Sequence, residues 1–75
     1  MAVMRLRVPN RAQMAYGIGQ SIQSGIEYEI KGVNVIELTC SDIMKLARMK
    51  VAFQGELMSI SLSINVRVEL PKYEA

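Results

Sequence analysis

Between Met58 and Leu70 apolar and polar residues alternate without a break. Met58, Ile60, Leu62, Ile64, Val66, Val68 and Leu70 are interleaved with Ser59, Ser61, Ser63, Asn65, Arg67 and Glu69. Successive side chains of a strand point to opposite faces, so this run predicts a β-strand with one apolar and one polar side. Pro71 stops it, and the tail 72–75 is expected to fray. The same period of two marks the start of the chain, where Met4, Leu6 and Val8 face one way, Arg5 and Arg7 the other, and Pro9 ends the run. It marks Ile26–Ile30, in which Ile26, Tyr28 and Ile30 alternate with Glu27 and Glu29. It also marks Val33–Leu38, with Asn34, Ile36 and Leu38 expected inward beside the charged Glu37. Lys31-Gly32 between these two runs reads as a tight turn in which Gly takes the positive φ.

Twice the period lengthens to that of a helix. Asn10 stands where an N-cap belongs and Gln13 follows at capping-box spacing. From Arg11 to Ser24 the residues Ala12, Met14, Ala15, Ile18, Gly19 and Ile22 share one side of a helical wheel, and Gly25 supplies the C′ stop. Gly17 and Gly19 each cost about 1 kcal/mol relative to Ala, so their presence predicts close packing of this helix. Thr39-Cys40-Ser41-Asp42 predicts a second helix with Thr39 at the cap and Asp42 at N3, running to about Phe53 with Gly55 at C′. Asp42 near its start and Lys50 near its end suit the macrodipole. In this helix Ile43, Met44, Ala47 and Val51 form one arc and Leu46, Met49 and Phe53 another, together about 220° wide, more than one buried face requires. Met49 and Phe53 therefore either cover the end of the core or form a patch for a partner, and both are candidate partner-binding residues.

The element order is β-α-β-β-α-β, which predicts a ferredoxin-like α+β fold. Right-handed crossovers place the antiparallel strands in the order 4-1-3-2 with both helices on one face. Seventy-five residues make one domain, 1–75. A core this small supplies roughly 3–5 kcal/mol of net stability, which favours a second copy as partner. The last strand is the natural contact. Its thirteen residues exceed the other strands by far, it lies at an edge in the 4-1-3-2 order, and it lacks the Lys, Pro or inward charge that usually protects an edge.

Composition narrows the chemistry. With no His and a single Cys, the chain has no Ser-His or Cys-His pair and no multi-cysteine metal site. It is expected to be a non-enzyme without metal or cofactor. Cys40, in the first turn of the expected second helix, occupies a place that activates thiols, yet no base or second Cys accompanies it. Glu27, Glu29 and Glu37 alternate with apolar residues and read as a solvated sheet face rather than a catalytic carboxylate pair. Gly17-Ile18-Gly19 departs from the dinucleotide fingerprint, because Ile22 stands where its third Gly belongs. No run approaches the ~18 apolar residues of a span, and the N-terminus lacks the apolar core of a leader. The lone thiol fits a reducing compartment. A cytoplasmic protein with no membrane partner is expected.

Lys31-Gly32-Val33-Asn34-Val35-Ile36-Glu37-Leu38 resembles the third-strand signature of the RNA-recognition motif, and the resemblance implies base stacking on a sheet. Val33, Val35 and Leu38 stand where that family has aromatics. The nucleic-acid alternative would use Arg5, Arg7, Lys31 and Arg67. In the expected topology the open sheet face carries Arg5 and Arg7 centrally. Ser59, Ser61, Ser63, Asn65 and Arg67 lie on one edge and Glu27 and Glu29 on the other. Mixed sign across one face suits phosphate poorly. The favoured expectation is a small protein-binding or regulatory module that self-associates as a dimer. It would use Ser59, Ser61, Ser63, Asn65 and Arg67 on the outer side of its last strand, or receive another protein's strand there. A small-ligand regulatory domain is a further possibility by analogy of fold alone.

Overall fold

Alternation and capping translate into six elements in the computed structural model, which describes residues 1–62: β1 Ala2–Arg7, α1 Arg11–Gln23, β2 Glu27–Ile30, β3 Val35–Cys40, α2 Ile43–Phe53 and β4 Glu56–Leu62. The sheet order is β2-β3-β1-β4 and every pairing is antiparallel. This is the expected ferredoxin-like α+β arrangement. The expected continuation of the last strand to Leu70, its residues Ser63, Asn65 and Arg67, and the tail 72–75 lie outside the described residues.

β1 is the centre of the sheet. It pairs with β3 from Ala2↔Cys40 to Arg7↔Val35 and with β4 from Ala2↔Leu62 to Arg7↔Glu56. Its inward residues Ala2, Met4 and Leu6, with Val8 just beyond, join Ile26, Ile36, Leu38, Leu46, Met49 and Phe53 in one buried cluster. Asn10 caps α1 as expected, its Oδ1 accepting from the Gln13 N–H at 3.1 Å. At the other end Gly25 takes φ 70°, its N–H donates to the Ile22 carbonyl, and Ile26 N–H donates to the Ser21 carbonyl. This is the Schellman closure, with the buried Ile26 as its apolar contact.

Several expectations are corrected. The α1 face turned inward is not the one with Ile22, Ala15, Gly19 and Ala12, all of which are exposed. It is rotated by roughly a third of a turn to bury Gly17 and Ser21, with Met14 and Ile18 at its margin. The reason is the neighbour. The Phe53 ring of α2 lies where a Cβ on Gly17 would be, so the absent side chain lets the helices close together. Ser21 Oγ donates to the Gly17 carbonyl at 2.9 Å and touches Met49 Sδ at 3.5 Å.

The second helix begins later than expected. Thr39 and Cys40 belong to β3, opposite Val3 and Ala2, and Asp42 is the N-cap, its Oδ1 accepting from Met44 N–H at 3.0 Å. Its end also shifts. Gln54, not Gly55, takes the left-handed conformation, at φ 51°, while Gly55 N–H donates to the Lys50 carbonyl. Gly55 serves a different need, because a Cβ there would lie 3.2 Å from both Leu6 Cβ and Val8 Cγ2. Gly32 lacks the expected positive φ. The β2–β3 connection is a longer loop, closed by Lys31 N–H to the Val35 carbonyl, and β3 starts at Val35 rather than Val33.

Candidate functional site

Two surfaces follow from this register: the β4 edge and the open face of the sheet. Opposite residues of an antiparallel pair share a face. Leu57, Ile60 and Leu62, opposite Leu6, Met4 and Ala2, therefore lie on the helix-bearing side, and Ser59 and Ser61, opposite Arg5 and Val3, lie on the open side. The pairing shifts between Arg5 and Leu6, so Met58 is an extra residue, a β-bulge in place of the unbroken alternation the sequence predicts. The strand also starts two residues earlier, at Glu56.

The bulge twists the beginning of the edge but leaves its apolar side uncovered. Leu57 is 48%, Ile60 43% and Leu62 58% exposed, although their cross-strand partners are buried. The helices pack elsewhere, α2 over β3 and β1 and α1 over β2. Ser59 and Ser61 are exposed, as expected for the outer side. Met49 and Phe53 are not partner-binding residues of this surface. They are 6% and 0% exposed and fill the core under α1, which is the correction to that expectation. The large apolar residues α2 leaves outside are Ile43, Met44 and Val51.

On the open face, the row Glu29–Glu37–Arg5–Ser59 crosses all the strands. Arg5 Nη2 donates to Glu37 Oε2 at 2.9 Å. Lys31 Nζ stands 3.5 Å from Glu29 and 3.9 Å from Glu37, and so bridges two carboxylates that face each other across the β2–β3 pair. Arg7 Nε lies 3.9 Å from Glu56 Oε1. Every described cation of the nucleic-acid alternative therefore already has a carboxylate partner, and Arg67 lies outside the described residues. Arg5 Nε is buried without a hydrogen-bond partner. The resemblance to an RNA-binding strand does not carry over into geometry. Val33 is 94% exposed in a loop, Val35 opens β3, and Leu38 is buried under the helices.

The remaining chemistry is sparse. Cys40 is half-buried in β3, its Sγ accepting from Asp42 N–H at 3.4 Å, so the activation argument from a first helical turn does not apply to it. Among the described residues no three His, Cys, Asp or Glu side chains gather as a metal site, and no helix is long and apolar enough to cross a membrane. An open groove of about 290 Å³ lies between the first half of α1 and the β2–β3 loop, with Val8, Met14, Ile18 and Val33 on its walls and Arg11 at its rim. Sequence reasoning missed this groove because it depends on where the loop around Val33 stands. In comparisons with known proteins, no family model, no curated protein and no solved structure matches the chain.

Proposed function

We propose that this chain is a small, non-catalytic binding and regulatory module that self-associates through the outer edge of β4. The observation that carries the reading is the apolar side of β4, where Leu57, Ile60 and Leu62 stay about half exposed while the helices pack mainly over β1, β2 and β3. An edge strand with unpaired backbone groups and an exposed apolar side is a template for a further strand. The occupant is a second copy. The described β1–β4 ladder reaches Ala2↔Leu62, and the apolar-polar alternation of the sequence continues to Leu70. A twofold antiparallel contact sets this self-complementary pattern against itself, apolar beside apolar.

The non-catalytic part of the reading rests on a sequence without His and with a single Cys. Pairing of Arg5, Arg7 and Lys31 with Glu favours the protein contact over nucleic acid, since a phosphate would have to displace those carboxylates. A free thiol suits the cytoplasm. The test is mass by light scattering over a range of concentrations, for the wild type and for a variant with Ser61→Lys and Leu62→Lys. The wild type reaches the dimer mass and the folded variant, checked by circular dichroism, stays monomeric. A wild type that is monomeric throughout, or a variant with the wild-type mass, overturns the reading.

A further inference from the structure

The modest net charge of +2 conceals a segregation by layer. All the described Glu residues, Glu27, Glu29, Glu37 and Glu56, belong to strands. The helices carry Arg11, Lys45, Arg48 and Lys50 and no carboxylate within either span, the nearest being the α2 cap Asp42. The cations of the sheet layer are held by Glu, whereas none of these helical cations has an ion pair among the described residues. Among the described residues, the Lys and Arg side chains without an ion pair thus belong to the helices.

The helix-bearing side is apolar where it should be wet. At 100° per residue, Ile43, Ala47, Val51 and Met44 span about 100° of α2 and point away from the core arc of Leu46, Met49 and Phe53. Val51 is 74% and Met44 61% exposed. Lys50 borders this arc on one side and Arg48 on the other. α1 adds Tyr16 and Ile22, both exposed, on its own outward side. The two helices pack on each other through Gly17 and Phe53 over one sheet, so their outward sides form a single surface.

We infer that the outward surface of α1 and α2 binds the face of an anionic lipid bilayer, with Met44 and Val51 entering the acyl boundary and Arg48 and Lys50 pairing with headgroup phosphates. Apolar side chains flanked by cations, with no acid among them, match the composition of helices that lie in a membrane interface. Long basic side chains beside an apolar arc reach up to phosphate while their stems stay in contact with lipid. That no described helix is long and apolar enough to cross a membrane bears on spanning a bilayer, not on lying against one. A nucleic acid would meet the cations but leave Met44 and Val51 against phosphate and water. The inference is independent of the β4 contact, which uses the sheet edge.

Vesicle co-sedimentation decides it. The full chain is mixed with phosphatidylcholine vesicles and with phosphatidylcholine vesicles containing phosphatidylglycerol, at low and high salt. Binding is expected to the anionic vesicles only and to weaken with salt. Arg48→Gln and Lys50→Gln are each expected to weaken it roughly fivefold, in line with the contribution of one basic residue at an anionic surface. Met44→Ser with Val51→Ser, at exposed positions, is expected to abolish it while the thermal melt stays near wild type. The monomeric Ser61→Lys, Leu62→Lys variant is assayed in parallel, and retained binding separates this surface from self-association. No sedimentation with anionic vesicles overturns the inference, as does equal binding to both vesicle types. Binding of a nucleic-acid duplex that falls with Arg48→Gln but not with Met44→Ser and Val51→Ser would reassign the surface to nucleic acid.

Discussion

β1 and β4 are neighbours in one sheet and each turns an apolar side toward the helix-bearing face, yet they end in different surroundings. Met4 and Leu6 of β1 are 2% and 0% exposed, while Ile60 and Leu57, directly across from them, remain about half in solvent. The difference lies in the layer above. Phe53 of α2, set against Gly17 of α1, joins Leu46 and Met49 in the core, and α2 packs mainly over β1 and β3. Alternation tells which side of a strand is fit for burial. Whether anything covers that side depends on where the helices come to rest.

The largest effects should fall where the two helices meet above β1. Phe53→Ala removes a fully buried ring and is expected to cost about 3–5 kcal/mol, enough to unfold the chain in a thermal melt. Gly17→Ala places a methyl group in the same space and should cost about 1–3 kcal/mol in urea denaturation. A wild-type midpoint for Gly17→Ala would mean that the helices do not approach so closely.

The strands themselves give the next contrast. Leu6→Ala is expected to cost about 2–5 kcal/mol at any protein concentration. Ile60→Ala, half-exposed in a single chain, should cost about 1 kcal/mol in dilute solution and more as concentration rises and the edge is covered. Denaturant midpoints recorded at two concentrations make the comparison, and equal costs at the two positions would break it.

Two smaller changes test the edges of the account. Gln54→Gly relieves a left-handed residue at the end of α2 and should raise stability by about 0.5–1 kcal/mol, read as a higher melting temperature. Glu37→Gln removes the carboxylate shared by Arg5 and Lys31. Because Arg5 is partly exposed, the loss should be at most about 1 kcal/mol and should shrink in high salt.

Much of this could be read in the residues because it is local. Asn10 with Gln13 and Gly25 with Ile26 fix both ends of α1 through bonds to their own helix, so a few residues suffice to place them. The sheet order followed from element order and handedness. What stayed hidden depends on distant partners. Gly17 reads as a weak point of a helix until Phe53, far along the chain, is set against it. Thr39 reads as a cap until its pairing with Val3 claims it for β3. The Met58 bulge appears only when β4 is laid beside β1, and the ion pairs of the open face only when Glu37 stands between Arg5 and Lys31. Alternation placed Ser59 and Ser61 on the open side of the sheet, where the register has them, whereas Met49 and Phe53 lie in the core and the apolar residues exposed on β4 include Leu57, Ile60 and Leu62.

Amide hydrogen exchange along β4, followed at low and high protein concentration, tests the central claim most directly. Alternate amides of β4 donate toward β1 and the others point out from the sheet edge. If β4 receives a strand from a second copy, the outward amides of Glu56–Leu62 gain protection with concentration and those directed at β1 change little. Outward amides that exchange fast at every concentration, in a chain whose β1 amides are protected, would contradict the claim.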